Sequence, residues 1–249
     1  MFATCKLPTL VSTRAPDKTI DRLVIPSFIF FKGLGRLFNQ KSTTTDAQTA
    51  DAFGLSIEMP FLRRLNVSHN HLSRLPDLAL DRLGLLQEID LSHNSLTNAN
   101  NQLSKHWPKV PALRRLHLQF NLLHQVGRGE FALKSLQLLD LSNQPTLSHF
   151  ECELLGPLRQ LRILRLTGYP HLRHMELQEC FAQLNSKLEE LSIELKLHTL
   201  QGHLQPVLSN RLRRLVLAGE RLTSFATQSL IGWTGKIAQE DKNRFCSSR

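Results

Sequence analysis

Three stretches of this chain repeat one pattern. Leu62-x-x-Leu65-x-Val67-x-x-Asn70-x-Leu72 is followed by Leu86-x-x-Ile89-x-Leu91-x-x-Asn94-x-Leu96 and by Leu113-x-x-Leu116-x-Leu118-x-x-Asn121-x-Leu123. The asparagines fall 24 and then 27 residues apart, a period at which each copy is one supersecondary unit. Alternating apolar residues make a short strand with one face turned inward. The Asn turns the chain off that strand, and its amide bonds backbone groups that the strand leaves unpaired. One copy alone cannot bury its leucines, so the copies must stack. The expected fold is an α/β solenoid: a horseshoe with a parallel β-sheet on the concave face and short helices, 3-10 turns or loops on the convex face.

Four weaker copies follow. The fourth is Leu136-x-x-Leu139-x-Leu141 with Asn143, Pro145 and Leu147, and the fifth is Leu161-x-x-Leu164-x-Leu166 with Tyr169, Pro170 and Leu172. Both set the next Leu eleven positions after the first rather than ten, a loop enlargement that adjacent repeats can share and stack. The sixth, Leu188-x-x-Leu191-x-Ile193, puts Lys196 where Asn belongs, and the seventh, Leu212-x-x-Leu215-x-Leu217, puts Glu220 there. Losing Asn from four positions predicts a weaker turn ladder and less uniform loops. The array so defined spans residues 52–235, about seven repeats. Residues 1–51 read as an irregular N-terminal segment. Within it, 20–31 is a degenerate repeat strand or an apolar cover for the open end, and 39–51 is a polar, flexible insert. Residues 236–249 read as a polar, frayed tail. A solenoid needs polar caps, and the lack of a recognised cap motif suggests a part of something longer.

Charge and cysteines narrow the setting. The 249 residues carry a formal net charge of +10, spread along the chain rather than gathered in an arm, so an acidic partner is favoured but not located. The N-terminus lacks the charged, apolar, small order of an export signal. The apolar run Leu23 to Phe31, broken by Pro26, is too short to span a bilayer. Contact with a membrane is therefore expected only through parts absent from this chain. Cys5, Cys152, Cys180 and Cys246 are scattered. Cys152 and Cys180 lie about one repeat apart and can approach on the convex side as a disulfide, buried free thiols being the alternative.

The strand residues between the leucines face the concave side, where neighbouring repeats sit about 4.8 Å apart. One column reads Arg64, Glu88, Arg115, Leu138, Ile163, Glu190, Arg214; the next reads Asn66, Asp90, His117, Asp140, Arg165, Ser192, Val216. Alternating charge predicts self-complementary pairing worth well under about 1 kcal/mol per pair, or a mixed-charge ligand face. The candidate protein-binding residues are Arg64, Asn66, Glu88, Asp90, Arg115, His117, Asp140, Arg165, Glu190 and Arg214. His69 and His93 occupy equivalent positions and are expected to stack as part of the repeat's turn, since a metal site would need further ligands. Asn66-Val67-Ser68 is an N-glycosylation sequon, placed where a glycan would obstruct the concave face.

No nucleophile elbow, helical metal-binding His pair, phosphate loop or spaced cysteine ligand set is present. No enzyme, metal, cofactor or small-molecule substrate is expected. Nucleic acid is a disfavoured partner, because the basic charge is interleaved with acids and lacks stacking aromatics.

These patterns resemble the leucine-rich repeat family across residues 52–235. Asp51-Ala52-Phe53, Glu130-Phe131 and the 23–27-residue spacing look like its extracellular "typical" class. Leu164-Arg-Leu-Thr-Gly-Tyr-Pro-His-Leu172 and Leu212-Arg-Arg-Leu-Val-Leu-Ala-Gly-Glu-Arg-Leu222 are similar to the arrays of chaoptin-like adhesion proteins. The resemblance implies a non-enzymatic recognition module of a cell-surface adhesion or receptor protein, binding a protein ligand or receptor through the concave face. The alternative is a cytoplasmic scaffold using the same surface for a cytosolic partner.

Overall fold

The computed structural model describes residues 21–24, 61–73, 80, 83–97, 104–127, 131, 133–171, 187–194, 199–200, 211–218, 224–225 and 236–240. The flexible insert expected at 39–51 and Cys180 lie outside them.

The leading elements are strands β1 (Arg22–Val24), β2 (Arg64–Asn66), β3 (Glu88–Asp90) and β4 (Arg115–His117). Short strands β5 (Gln125–Val126) and β7 (His149–Phe150) flank β6 (Leu138–Asp140). β8 (Ile163–Leu166), β9 (Glu190–Glu194), β10 (Thr199–Leu200), β11 (Arg214–Ala218), β12 (Ser224–Phe225) and β13 (Lys236–Glu240) complete the order. Nine of these form one sheet in the order β1-β2-β3-β4-β6-β8-β9-β11-β13, every pairing parallel. The pairs β5–β7 and β10–β12 are separate parallel ladders of two strands. Helical turns at Ser104–Lys109 and Cys152–Leu155 are 3-10, and no α-helix occurs among the described residues. None is long and apolar enough to cross a membrane.

The register is the one the leucine spacing dictates. Leu65, Ile89, Leu116, Leu139, Leu164, Leu191 and Leu215 are successive partners across the sheet. From Ile89 onward all are fully buried, while Leu65 is only partly so. The period-two alternation turns these side chains inward and sends their neighbours out. Trp107, on the first 3-10 turn, packs against Phe131 with ring centroids 6.1 Å apart and closes the core of the third repeat.

Two strands extend the sheet beyond the array read from the sequence. β1 pairs with β2 so that Leu23 aligns with Leu65, the phase of a degenerate repeat, and the sheet therefore begins ahead of residue 52. β13 pairs with β11 through all five of its residues, in the stretch expected to be a frayed tail. Its register sets Ile237 opposite Leu215 but Gln239 opposite Leu217. Among the described residues β13 has a strand neighbour on one side only, and main-chain pairing holds it with less of the leucine frame.

In the fourth and fifth repeats the turn ladder survives the loss of Asn, contrary to the expectation of weakened loops; Lys196 and Glu220 lie outside the described residues. Asn94 Nδ2 donates to Val67 O (3.0 Å), Asn121 Nδ2 to Leu91 O (3.0 Å), Gln144 Nε2 to Leu118 O (2.7 Å) and Tyr169 Oη to Leu141 O (3.0 Å). These carbonyls belong to equivalent positions of successive repeats. Gln144 spans the enlarged loop with its extra methylene. Burial, reinforced by the charges of Asp140 and Glu194, holds the Tyr169 pKa well above the usual phenol value, so the hydroxyl keeps its proton to donate. Glu194, nearly buried, accepts from Gly168 N (2.5 Å) and Tyr169 N (2.9 Å), the acceptor role that Asn94 Oδ1 fills toward Asn70 N and Leu72 N.

Candidate binding face

The sheet brings the two predicted columns into the predicted contact. Arg64 pairs with Glu88 and Glu88 with Arg115, while Asn66 aligns with Asp90 and Asp90 with His117. Glu88 is a hub: Arg115 Nη1 donates to its Oε2 at 2.9 Å, Arg64 Nε lies 3.7 Å away, and His117 Nε2 approaches Oε1 at 3.8 Å. A second hub is Arg165, which reaches Asp140 Oδ2 at 3.3 Å and Glu190 Oε1 at 2.9 Å. Partial burial disfavours its charge, but the hydrogen bonds and charges of Glu190 and Asp140 outweigh that and raise its pKa. Between the hubs lie Leu138 and Ile163, aligned on adjacent strands and half-buried. Arg214 pairs in register with Glu190 through the backbone only; its exposed side chain forms no ion pair among the described residues.

Several charged positions do structural work as well. Asp90 Oδ1 accepts from Ser92 N (3.0 Å) and Ser92 Oγ (2.6 Å), Asp140 Oδ1 accepts from Ser142 N (3.0 Å), and Asn66 Oδ1 accepts from Ser68 N and Oγ. Each is an Asx turn that ends its strand. The Asn66 Nδ2, the atom to which a glycan would be joined, donates to Asp90 Oδ2 at 3.2 Å. Both Asn66 and Ser68 of the sequon are thus engaged in the turn.

On the C-terminal side of the strands, His69, His93 and Phe120 stack in one exposed ladder. Centroids lie 4.1 and 4.2 Å apart, with interplanar angles of 11° and 14°. The predicted His stack is present and continues into Phe120, which the sequence reading did not connect to it. All three have positive φ (58°, 52° and 57°), as do Asn143 and Gly168 at the equivalent positions of the next two repeats. The left-handed turn is cheap for Gly and Asn, whereas bulky residues there cost roughly 1–3 kcal/mol each. Among the described residues no group of His, Cys, Asp and Glu is arranged to hold a metal.

His93 makes this ladder sensitive to acid. Desolvation and then the nearby His69 lower its pKa from 6.5, and Asp90 opposes them only in part. A lowered folded-state pKa means that the unfolded chain binds the proton first. The stability His93 contributes is complete above pH 6.5 and is lost as pH falls through that value toward the folded pKa. His93→Phe, which copies the ring that Phe120 already seats in the same turn, is expected to flatten that loss. Thermal melts of both proteins between pH 5 and 7.5 test it; parallel pH curves would refute the assignment.

One column escaped the sequence reading. The residue before each strand, from Asp21 through Arg63, Gln87, Arg114, Gln137, Arg162 and Glu189 to Arg213, donates its amide to the carbonyl of the preceding member. Arg recurs at every second position from Arg63 to Arg213, with Gln87, Gln137 and Glu189 between, a period present in the sequence but one residue outside the columns that the leucine spacing defines. Cys152, 6% exposed on the second 3-10 turn, is disulfide-bonded, so the free-thiol alternative does not hold for it.

A solenoid whose convex turns support one continuous parallel sheet defines a protein-interaction module. The leucine-rich repeat family model matches residues 60–110 and 111–170. Chaoptin of Drosophila melanogaster is 33% identical over 123 residues, covering 49% of this chain and 9% of chaoptin. Human podocan-like protein 1 is 30% identical over 185 residues, covering 71% of this chain and 33% of that protein. This chain is a leucine-rich repeat protein with a chaoptin-like sequence, and it spans no more than a third of either relative's length. Among solved structures, a TLR13–ssRNA13 complex superposes with a TM-score of 0.53 at 24% identity, covering 73% of this chain and 29% of that one. That likeness shows the fold alone. It also leaves the expectation of a disfavoured nucleic-acid partner unsupported, since the TLR13 scaffold was solved with an RNA.

Proposed function

We propose that the concave sheet is a protein-recognition surface of an adhesion or receptor protein working outside the cell. The observation that carries the reading is the apolar step Leu138–Ile163, set between two ion-paired hubs on aligned strands. A desolvated apolar centre with a polar rim is the anatomy of an energetic hot spot. The charged residues named from the sequence then serve mainly to orient and select, because most of them already satisfy one another. The disulfide at Cys152 supports an oxidising compartment, where such bonds persist. It counts against the cytosolic scaffold. A non-enzymatic role accords with a sheet that, among the described residues, offers rigid, mutually paired side chains.

Two measurements test this. Antibody labelling of intact cells should detect the endogenous protein without permeabilisation; labelling only after permeabilisation would move the reading to the cytosol. A photo-crosslinking residue at Leu138 should capture a cell-surface protein, and Ile163→Arg should abolish that adduct. Capture from the exposed position Gln125 on β5 but not from Leu138 would place recognition on the other face.

A further inference from the structure

The N-terminal margin of the concave sheet is strongly and regularly basic. Over the two residues that begin each strand, from Asp21–Arg22 to Arg213–Arg214, there are eight arginines against four carboxylates. The third column, from Val24 to Val216, is slightly acidic. Arg63, Arg114, Arg162 and Arg213 recur on every second strand, with Gln87 and Gln137 between the first three. Strands about 4.8 Å apart place successive arginines about 9.5 Å apart in a line. All four are exposed. Arg162 Nη1 reaches Glu189 at 3.2 Å, but the side chains of Arg63, Arg114 and Arg213 form no ion pair among the described residues. The unpaired, exposed Arg63, Arg114 and Arg213, with eight arginines against four carboxylates overall, leave the margin a net positive field.

We propose that this margin is a docking strip for a linear sulfated polysaccharide. The charge is complementary and the shape is extended, as a polymer requires. Planar guanidinium forks bind two oxygens of a sulfate group in paired hydrogen bonds. The intervening Gln87 and Gln137 amides supply donors and acceptors suited to sugar hydroxyls, so from Arg63 to Arg162 the column alternates charge and neutral polarity as such a chain does. Single-stranded nucleic acid fits less well. Its bases need stacking platforms, yet neither margin column contains an aromatic residue, and the rings of His69, His93 and Phe120 lie beyond the opposite ends of the strands with inner faces covered by one another. The disulfide-bonded Cys152 points to the same extracellular setting in which sulfated polysaccharides occur. The arginine column abuts the Leu138–Ile163 centre, but the two are tested at different residues, so either role can fail without the other.

Binding of fluorescein-labelled heparin to the full chain, followed by anisotropy against salt concentration, tests the proposal. Affinity should fall steeply with salt. The triple variant R63Q/R114Q/R213Q should bind about tenfold or more weakly at physiological salt, and R63K/R114K/R213K, which keeps the charge but not the paired hydrogen bonds, should fall between it and the parent. In the unaltered protein, heparin should shield these three arginines from phenylglyoxal, read by mass spectrometry, which removes any dependence on how a variant folds. Unchanged binding by the Gln triple, equal loss in the Lys triple, or no shielding would overturn the proposal. Polyuridylic acid binding as tightly as heparin, with the same arginine dependence, would assign the strip to nucleic acid instead.

Discussion

Leu116→Asp is expected to abolish the cooperative thermal transition of the whole array. Leu116 is fully buried at the centre of β4, between Ile89 on one side and Leu139 on the other. The substitution removes an apolar side chain, a loss of about 2–5 kcal/mol for comparable truncations, and adds a carboxylate with no cation in reach of the leucine stack. Burying that charge costs several kcal/mol more or forces it to take up a proton. Single domains are stable by only about 5–15 kcal/mol. A solenoid is a chain of nearest-neighbour interfaces, so a break at β4 uncouples the repeats on either side. Calorimetry should show the main transition lost or split into smaller ones, whereas Leu116→Met should melt within a few degrees of the parent. A single cooperative melt for the Asp variant would mean that Leu116 is not in the core column.

The parts of the fold that repeat most faithfully were the most legible. Strand phase, inward column and outward columns follow from leucine spacing alone, because a period of two leaves no freedom about which side chain faces where. Less legible was anything held by a function that several residue types can perform. Gln144 and Tyr169 stand where a search for Asn finds nothing, yet each makes the same bond to the preceding repeat. The ladder is conserved within the chain as a hydrogen bond rather than as a residue. β13 escaped for a related reason: it is recruited by main-chain pairing with β11, and its sequence keeps little of the apolar pattern. On the candidate face, pairing between neighbours could be read from alternating charge, but not that Glu88 and Arg165 would each gather two or more partners. That depends on side-chain reach across the sheet. The disulfide at Cys152 depends on the path of the convex loops, which strand spacing does not constrain.

Asn94→Ala should be among the most damaging substitutions outside the leucine stack. The side chain is almost buried and makes five bonds to backbone groups. Its Oδ1 accepts from Asn70 N (3.1 Å) and Leu72 N (2.9 Å), while Nδ2 donates to Val67 O (3.0 Å), Leu91 O (2.9 Å) and Ser92 O (3.1 Å). Alanine takes the Asn94 partner away from Asn70 N, Leu72 N and Val67 O, while Leu91 O still accepts from Asn121 Nδ2 and Ser92 O from His69 N. At about 1–3 kcal/mol for each unsatisfied buried group, and allowing for relaxation, a net loss of about 3–4 kcal/mol is expected. Asn94→Asp separates the two halves of the amide. It keeps the acceptor for Asn70 and Leu72, but sets an anion against three carbonyl oxygens, so at neutral pH it should be no better than alanine. Protonation restores one donor and removes the charge. The carboxyl pKa is therefore raised in the folded state, and the Asp variant should gain stability relative to the Ala variant as pH falls through that raised value toward the unfolded one. Urea melts of the three proteins at neutral and mildly acidic pH measure this. If the Asp and Ala variants keep a constant difference across pH, Asn94 is not acting as a donor, and the ladder rests on its acceptor oxygen alone.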